Sequence, residues 1–598
     1  MLRKPLLARV SLLAALAVSL PCTLLAEENQ AAWGPELTPK LAAIPQHLVE
    51  VSGVEPAFVL ASADEAMVQP ITVWNLAGNV PLRNGFERSL PKALLTVLPR
   101  KEPGTKLEQF GGGVLARSAE DDAVVWGLAL RVEQAWRIRI RLGDVRLPKE
   151  AKIWVYGENE EIVGPFGTEL KGPDGTLWTP SVGGPEIRLE ISVPDAAWDV
   201  DFPPSLKIEA ISELFPLSDT GLPQLGGELQ LKDLSCLVDA ACVGSGDFSV
   251  IEPTTRAVAL LQFMVGSDGF ICTGTLVNDK DQDTWVPYLI TANHCFSTQS
   301  SASSLDAFFD YIPNSCGGSA PALGTLPRSS GSSLLATNTA SDFTFVRLNS
   351  LPSGRSLMGW TTTEPSVGTA LHRVSHPQGL PAAYSQSDKL PDPFDSCGLS
   401  TADYHFTDQM VGGISGGSSG SSLLQDNGQI VGQLRGLCGP DPSDDCLYTN
   451  DQIDGRFSSA FPYISQWINT DGGGGGPCVQ DLEGGVVCLR NGRFEFTGTW
   501  TDFANPPNTQ PIIWTPVENI NASGGFQINP TGIQIVMRVA DGCSKTGTWW
   551  IWLGGFTDAG WDIRVRDTVT GNQRRFTRSR QGGVFPTTTR DMTTFTCN

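Results

Sequence analysis

Residues 27–232, the N-terminal segment, alternate between apolar and polar positions. At 136–142 and 187–193 every second residue is apolar, which is the period of a strand with one buried and one solvated face. Turns that contain glycine or proline, such as Gly164-Pro165 and Gly183-Gly184, separate these runs. The pattern predicts a β-sandwich over this segment.

Residues 233–470, the central segment, carry short apolar runs between polar turns. The runs at 256–263 and 430–434 predict strands, and the apolar spacing over 460–468 predicts one amphipathic helix near the end of the segment. A glycine run closed by a proline, residues 471–477, predicts a flexible linker.

Residues 478–598, the C-terminal segment, are rich in Trp, Thr and Gly. Apolar alternation at 494–497, 533–539, 549–552 and 561–565 predicts further strands. The segment therefore predicts a second, smaller β-sandwich, and the whole chain is expected to be all-β.

The first 26 residues, 1–26, have the pattern of a secretory signal. Arg3, Lys4 and Arg9 lie before an apolar run that spans residues 10–20, and the small Ala26 ends the stretch. This run is too short for a transmembrane helix, and no later run of 18 or more apolar residues follows. We therefore expect a secreted, extracellular protein, monomeric and with no membrane partner.

Length and charge limit the domain number and the partners. At about 100–200 residues per domain, 598 residues allow about three or four domains. The net charge of −22 argues against DNA or RNA as a partner. The central segment alone has 23 acidic and 9 basic residues. This excess suits cationic substrates, and it equally suits the solubility of an exported protein.

Cysteine usage predicts disulfides. Apart from Cys22, eight cysteines lie between Cys236 and Cys446 and four between Cys478 and Cys597, while the N-terminal segment has none. In an exported chain this distribution predicts disulfides within each segment, although spacing alone leaves the pairing open. The five histidines form no ligand-spaced cluster with cysteine, so we expect no metal and no cofactor.

Two features of the central segment point to nucleophilic catalysis. An apolar run ends at His294 and Cys295, and a Gly/Ser turn at 416–422 leads into another apolar run. A serine hydroxyl becomes a nucleophile when an imidazole accepts its proton, and the imidazole needs a carboxylate that fixes its tautomer. Asp342 lies between the two features, at the start of the run 343–348. Each feature alone is common in structural roles, but their combination indicates catalysis.

The central segment resembles the lysyl endopeptidase family of secreted bacterial trypsin-like serine proteases. The similar stretches follow one another in the family's order over about 240 residues: 272–278, 291–295, 341–344, 417–421, 432–434 and 455–457. The order His, Asp, Ser is that of chymotrypsin-like proteases. The resemblance therefore implies a chymotrypsin-like double β-barrel that hydrolyses peptide bonds in protein or peptide substrates.

The resemblance also implies the catalytic residues. His294 would be the general base, Asp342 the residue that orients it and Ser419 the nucleophile. The backbone N–H groups of Gly417 and Ser419 would form the oxyanion hole. Ser415 lies in a similar Gly/Ser pattern, but Ser419 has the family's spacing of four residues to the following strand.

An acidic S1 pocket is implied as well. Asp451 falls where the family places the aspartate that receives a basic P1 side chain, and one inserted residue makes Asp454 a competitor. Arg435 stands where relatives often have histidine, and Leu437 stands where a small glycine would open the pocket. These two departures argue against selectivity for lysine alone. The expectation is a basic P1 residue, with cleavage after Lys, or after Lys and Arg.

Three disulfides follow from the same resemblance. Cys272 would pair with Cys295, and Cys242 with Cys316. Cys236 would pair with Cys446, or else with Cys438, and Cys397 would take the cysteine that remains.

The N-terminal segment resembles the pro-regions of such proteases, with Lys232-Asp233 as a self-processing junction. Ser418 replaces the aspartate with which zymogen-type trypsins bind a new N-terminus. The enzyme is therefore expected not to need that salt bridge and to rely instead on its disulfides and on release of the pro-region. Two alternatives remain: the same triad with another P1 preference, or a non-catalytic secreted binding or adhesion protein.

Overall fold

The computed structural model describes residues 28–29, 32–33, 54–102, 107–118, 122–218, 222–225, 236–280, 285–391, 397–469 and, with gaps, 478–596. The expected signal peptide (1–26), the linker (471–477) and the Lys232-Asp233 junction lie outside the described residues. Within the described ranges, no helix is both long and apolar enough to cross a membrane.

The N-terminal segment is mostly β-structure. Its elements are β1 (Glu28–Asn29), β2 (Ala32–Trp33), β3 (Phe58–Leu60), α1 (Glu65–Leu76), β4 (Leu82–Val97), β5 (Glu108–Phe110), β6 (Gly113–Arg117), β7 (Ala123–Val132), β8 (Arg137–Arg146), β9 (Lys152–Tyr156), β10 (Ile162–Phe166), β11 (Leu177–Trp178), β12 (Val182–Gly183), β13 (Glu186–Pro194) and β14 (Ser205–Leu214), with 3₁₀ helices at Thr168–Leu170 and Asp195–Ala197.

Two sheets of this segment pack on one apolar core. One sheet has the order β10-β9-β13-β7-β6-β5, and the other includes β11-β8-β14-β4. Trp126, Ile191 and Ile208, which come from both sheets, are fully buried in the same cluster. This arrangement is the predicted β-sandwich.

Helix α1 was not predicted from the alternating pattern. It begins where the Asp64 carboxylate accepts a hydrogen bond from the Met67 N–H at 2.9 Å, a capping contact that favours helix initiation. Val68, Ile71 and Asn75 are its buried residues, and their spacing of three and four places them on one face. The helix packs on β4, and its C-terminal end reaches the central segment.

The central segment contains most of the remaining strands. Its elements are β15 (Val238–Asp239), α2 (Ile251–Ala257), β16 (Val258–Val265), β17 (Asp268–Val277), β18 (Tyr288–Ala292), α3 (Gln299–Ser303), β19 (Asp306–Phe309), β20 (Arg328–Ser330), β21 (Ser332–Asn338), β22 (Phe343–Leu348), β23 (Ser356–Leu357), β24 (Trp360–Thr361), β25 (Ala370–Ser375), β26 (Ala383–Lys389), β27 (Tyr404–Val411), β28 (Ser422–Leu424), β29 (Ile430–Cys438), β30 (Asp451–Arg456) and α4 (Phe457–Ile468), with 3₁₀ helices at Ala240–Cys242, Leu323–Thr325 and Pro377–Gly379.

These strands form two barrels. In the first, pairing runs β20-β19-β16-β17-β18-β22-β21, and only Gly331 separates β20 from β21. Gly331 has φ +74°, and a Cβ there would lie 2.3 Å from the Leu170 side chain, so the turn requires glycine. In the second barrel, β29-β28-β25-β26-β27-β30 closes because β30 also pairs with β29. The predicted chymotrypsin-like double β-barrel is confirmed.

The first barrel shares a sheet with the N-terminal segment. Strand β4 pairs with β14 on one side and with β17 on the other. In this second pairing, Phe86 lies opposite Asp268 and Leu82 lies opposite Ile271. The backbone of the N-terminal segment is therefore hydrogen-bonded directly to the barrel.

The boundaries of two predicted elements shift by a few residues. The predicted strand at 256–263 begins at Val258, since residues 251–257 form α2. Helix α4 starts three residues before the predicted position, at Phe457, and buries Ala460, Ile464 and Trp467 against the barrels.

The C-terminal segment is a small sandwich of two five-stranded sheets. Phe496 and Ile563 of one sheet and Val539 and Ile551 of the other are buried in a common core. Its elements are β31 (Val487–Leu489), β32 (Phe494–Thr501), β33 (Thr509–Pro511), β34 (Ile513–Thr515), β35 (Ser523–Gln527), β36 (Ile535–Gly542), α5 (Cys543–Thr546), β37 (Thr548–Gly555), β38 (Gly560–Asp567), β39 (Gln573–Arg578) and β40 (Thr587–Thr596).

Candidate active site

Strand pairing brings His294 and Asp342 together. Strand β18 ends two residues before His294, β22 begins directly after Asp342, and Ala292 lies opposite Phe343 in the antiparallel register. The His294 N–H donates to Asp342 Oδ1 at 2.9 Å, and His294 Nδ1 lies 2.7 Å from Asp342 Oδ2. Asp342 is 2% exposed. The carboxylate thus fixes both the backbone and the ring of the histidine.

The second ring nitrogen of His294 is available for chemistry. Nε2 is buried and has no hydrogen-bond partner in the described part of the chain. The Cys272–Cys295 disulfide lies against the ring, and its sulfurs and the histidine nitrogen are within 4.8 Å of one another. Because both sulfurs are bonded to each other, they do not offer thiolates to a metal.

The three other described histidines are structural. Burial lowers the pKa of His376 to about 4 and that of His405 to about 3, so both rings are neutral near pH 7. Burial also lowers the pKa of His372, which stacks on Phe248 at 4.2 Å between ring centroids.

Ser419 lies in a tight turn between the two barrels. Its carbonyl accepts a hydrogen bond from the Thr273 N–H at 2.9 Å, and the Gly417 carbonyl accepts from the Thr273 hydroxyl at 2.9 Å. Ser419, His294 and Gly416 line the same cleft, which has a volume of about 900 Å³. The turn therefore presents the serine to the cleft that contains the histidine.

The peptide before Gly417 is oriented by the loop that contains Gln378. The Gln378 N–H donates to the Gly416 carbonyl at 2.6 Å. In a trans peptide the C=O and the following N–H point in opposite directions, so the Gly417 N–H points away from Gln378. Gly417 has φ +92°, and a Cβ there would lie 2.8 Å from the His376 carbonyl oxygen. Only glycine fits this conformation without strain.

Ser418, the residue in place of the zymogen-type aspartate, is fully buried. Its hydroxyl accepts a hydrogen bond from the Ser375 hydroxyl at 3.0 Å, and its N–H donates to the Ser415 carbonyl at 2.9 Å. The buried Ser418 side chain is therefore satisfied by hydrogen bonds between uncharged groups. It carries no negative charge that a new N-terminus would have to neutralise.

The two S1 candidates from the sequence lie in different surroundings. Asp451 begins β30 and is opposite Asp408 of β27 and Cys438 of β29. Burial, followed by the Asp408 charge, raises its pKa. Ile453 of the same strand lines the cleft, whereas Asp451 is not among the described residues that line it.

Asp454 is fully buried in an ion pair with Arg373, at 2.6 Å between Oδ1 and Nη2. Arg373 is 1% exposed and also donates to the Ser421 carbonyl at 2.8 Å. The carboxylate of Asp454, the competing S1 candidate from the sequence, is therefore already paired with Arg373 in a structural contact.

Replacing Asp454 with alanine is expected to lower the free energy of unfolding by about 3–5 kcal/mol, because it leaves the Arg373 charge buried without its partner. Urea unfolding of the full chain, with its active serine blocked against autolysis, measures this loss. Asp451→Ala is the matched control on the same strand, and because its side chain is only partly buried, its loss should cost about 1 kcal/mol or less. Equal losses for the two variants would contradict the structural role of Asp454.

Five disulfides join described cysteines. They are Cys236–Cys446, Cys242–Cys316, Cys272–Cys295, Cys397–Cys438 and Cys478–Cys488. Cys236 is therefore bonded to Cys446 and not to Cys438, the alternative partner. Cys438 is bonded to Cys397, whose partner the sequence left open.

The cleft also contains residues that were not singled out in the sequence. Asp445, in the loop between β29 and β30, lines it together with Gln378. Residues 75–80 and Leu82 of the N-terminal segment line it as well. No motif marks these residues, since they reach the cleft only through the packing of distant loops.

A double barrel whose shared cleft holds a serine and a carboxylate-bound histidine defines the class of serine endopeptidases, and the sequence comparisons agree with it. Residues 232–446 match the family model described as "Lysyl endopeptidase, C-terminal domain". The lysyl endopeptidase of Pseudomonas aeruginosa is 28% identical over 352 residues, which cover 55% of this chain and 71% of that protein. The chain is a serine endopeptidase, and its central segment is similar to the lysyl endopeptidase family over residues 232–446.

Solved structures give weaker similarities. The active form of a protease from M. tuberculosis has 12% identity and a TM-score of 0.27, covering 40% of this chain and 94% of that one. An HtrA-type protease with a tripeptide has 15% identity and a TM-score of 0.28, covering 41% and 69%. Because both TM-scores are low, the similarity to lysyl endopeptidases rests on the sequence matches.

Proposed function

We propose that this endopeptidase uses His294, Asp342 and Ser419 as a catalytic triad that cuts after Lys, or after Lys and Arg, through an acyl-enzyme. The observation that carries the proposal is the 2.7 Å contact between His294 Nδ1 and Asp342 in the cleft that Ser419 lines. This contact holds the proton on Nδ1 and leaves Nε2 to accept the serine proton.

The backbone before Ser419 supports the oxyanion role of the Gly417 N–H, one of the two proposed donors. Because Gln378 holds the Gly416 carbonyl, the Gly417 N–H is directed to the opposite side of its peptide. Backbone donors that are oriented before the reaction stabilise the developing oxyanion without reorganisation.

Electrostatics supports a basic P1 residue. The central segment carries 23 acidic and 9 basic residues, and Asp444 and Asp445 line the cleft. Such a cleft attracts cationic side chains. The name of the P. aeruginosa relative, lysyl endopeptidase, agrees with this preference.

The N-terminal segment supports synthesis as an inactive precursor. Residues 75–80 and Leu82 line the cleft, and Leu82 packs so closely that a Cβ on Gly416 would lie 2.6 Å from its side chain. A peptide substrate needs the same space, so the segment must leave before catalysis. Cleavage at Lys232-Asp233 by the enzyme itself would release it, and the signal pattern at 1–26 together with the disulfides supports a secreted product.

The test is to express the full chain, collect the secreted enzyme and map its cuts in a denatured proteome by mass spectrometry. We expect cuts after Lys, or after Lys and Arg, and an enzyme N-terminus at Asp233. The matched control is the same sample treated with a fluorophosphonate, which reacts with activated serines and should abolish the cuts.

Other outcomes would contradict separate parts of the proposal. Cuts after apolar residues that the fluorophosphonate abolishes would agree with the proposed triad but would overturn the basic preference at P1. An N-terminus far from Asp233 would overturn the processing site. A secreted protein that neither cuts nor reacts with the fluorophosphonate would favour the binding-protein alternative.

A further inference from the structure

One sheet of the C-terminal sandwich has an aromatic side chain on its outer face. This sheet has the order β34-β35-β36-β37-β40. Ile551 and Leu553 of β37 are buried in the core of the module, so Trp552 between them points outward. Its side chain is 43% exposed, whereas Trp549 and Trp561 pack in or against the core. Trp552 is therefore a large side chain that the module leaves exposed.

Two arginines flank Trp552 in the same row of the sheet. Arg538 of β36 lies opposite Trp552 on one side, and Arg590 of β40 lies opposite it on the other. Residues paired directly across antiparallel strands lie on the same face of a sheet. The row therefore crosses three strands, and a strand spacing of about 5 Å places the two arginine backbones about 10 Å apart.

The guanidinium groups of both arginines are available to a ligand. Arg538 and Arg590 are exposed, and within the described part of the chain neither guanidinium forms an ion pair or a ring contact. In the other sheet of the module, by contrast, Arg575 is paired with Asp562, at 2.8 Å between Nε and Oδ1. The protein itself thus leaves the positive charge beside Trp552 unneutralised.

No acid shares this face at the paired positions of β36, β37 and β40. Apart from the row of three, the outward positions are uncharged: Val536, Ala540, Gly542, Thr548, Trp550, Gly554 and Thr588. The C-terminal segment has 10 acidic and 11 basic residues, whereas the whole chain has a net charge of −22. An anionic ligand therefore meets a locally positive surface on this face.

There is open space next to the indole. Gly554, two residues after Trp552 on the same strand, points to the same face, and the space where its Cβ would lie is open. Val536, which lies opposite Gly554, is 37% exposed. A ring-shaped ligand has room at Gly554 to pack against the Trp552 side chain.

The combination of an indole and two free guanidinium groups favours one class of anion. The C–H face of a pyranose ring is apolar and packs on an indole, which offers a large apolar surface. Arginine binds carboxylates through two parallel hydrogen bonds. A polymer of uronic acids offers a sugar ring and a carboxylate in every unit. Nucleic acid also combines rings with negative charge, but a chain with a net charge of −22 disfavours so dense a polyanion.

We propose that the outer face around Arg538, Trp552 and Arg590 is a binding site for acidic polysaccharides. Trp552 stacks on a sugar ring, and the two arginines pair with uronate carboxylates on either side of it. None of the three is among the described residues that line the protease cleft. The inference therefore goes beyond the proposed function and does not depend on it.

The test measures binding of the full chain to polymers by affinity electrophoresis, in which a polymer in the gel retards a protein that binds it. Every sample carries Ser419→Ala, so that no sample cuts itself. Polygalacturonate is compared with its fully methyl-esterified form, which has the sugar rings without the charge, and with polyglutamate, which has carboxylates without sugar rings. We expect binding to polygalacturonate, and binding about tenfold weaker to each of the other two polymers.

Variants of the face test which side chains bind. Trp552→Ala and the double variant Arg538→Gln/Arg590→Gln are each expected to raise the Kd for polygalacturonate about tenfold, while Trp552→Phe should retain most of the affinity. The matched control is Arg564→Gln/Arg575→Gln, which removes the same charge from two exposed arginines of the other sheet and should leave the Kd unchanged. Because all these side chains lie on the surface, urea unfolding should show the same midpoint for every variant.

Four results would overturn the inference. Polygalacturonate that does not retard the protein is the first, and an unchanged Kd in Trp552→Ala is the second. Equal binding to polyglutamate, or equal losses in the two pairs of arginine variants, would show attraction by charge alone. Tighter binding to single-stranded DNA than to polygalacturonate at the same salt concentration would assign the face to nucleic acid. Since no arm of the test measures peptide hydrolysis, none of these results bears on the proposed triad.

Discussion

Ser419→Ala is expected to lower kcat by about a million-fold, the loss typical of removing the nucleophile of a serine protease. The reason is that the alanine side chain cannot form the acyl-enzyme, so the two-step reaction is replaced by direct attack of water. The backbone contacts of this turn, including the 2.9 Å hydrogen bond from the Thr273 N–H to the carbonyl of residue 419, involve no side-chain atom of Ser419. The variant should therefore fold but remain an uncut precursor.

Peptide hydrolysis, fluorophosphonate labelling and the size of the secreted product measure this effect together. Ser400→Ala, in an exposed serine of the second barrel, is the matched control and should be labelled and processed normally. A Ser419→Ala protein that still reacts with the probe and processes itself would identify another nucleophile, with Ser415 as the first candidate.

Asp342→Asn is expected to lower kcat by about 10⁴-fold while KM changes little. An asparagine amide that donates to His294 Nδ1 would favour the tautomer with the proton on Nε2, and this tautomer cannot accept the serine proton. The substitution suits the backbone, since Asp342 has φ +52° and asparagine tolerates this region well. Its side-chain oxygen can still accept the His294 backbone N–H.

Steady-state kinetics on a Lys-containing peptide gives the separation of kcat from KM. Asp310→Asn is the matched control: Asp310 also has a positive φ, +57°, and accepts a hydrogen bond from Arg355 at 2.8 Å, but it does not contact a histidine. It should retain the wild-type kcat. A loss of similar size in the two variants would show that Asp342 acts through stability and not through the tautomer of His294.

Part of the structure follows from local sequence patterns. Period-two alternation predicted the strands of the N-terminal sandwich, and apolar spacing predicted helix α4, because the burial of a strand or a helix repeats at a fixed interval along the chain. The family resemblance pointed to His294, Asp342 and Ser419 through short motifs. The triad remains a prediction until the variants are measured, whereas the all-β double-barrel fold and the serine endopeptidase class are confirmed.

Helix α1 shows where the local pattern was insufficient. Its sequence signal was a single capping residue, Asp64, followed by buried positions three and four residues apart within a segment dominated by strands. Its position beside the cleft depends on β4, which pairs with β17 across about 185 residues of sequence. Such long-range pairing produces no recognisable pattern in the local sequence of either strand.

The sequence by itself determined which segments form sheets. It predicted, through the family resemblance, which residues would carry the chemistry of a serine protease and that an acid would face the substrate. Only the tertiary structure decided the surroundings of the three candidate acids. Asp445, Asp451 and Asp454 lie within ten residues and have the same side chain. The fold places the first in the cleft, the second opposite Asp408 and the third in a buried pair with Arg373. The difference arises because the cost of burying a carboxylate depends on the charges and donors around it, and distant strands supply those groups.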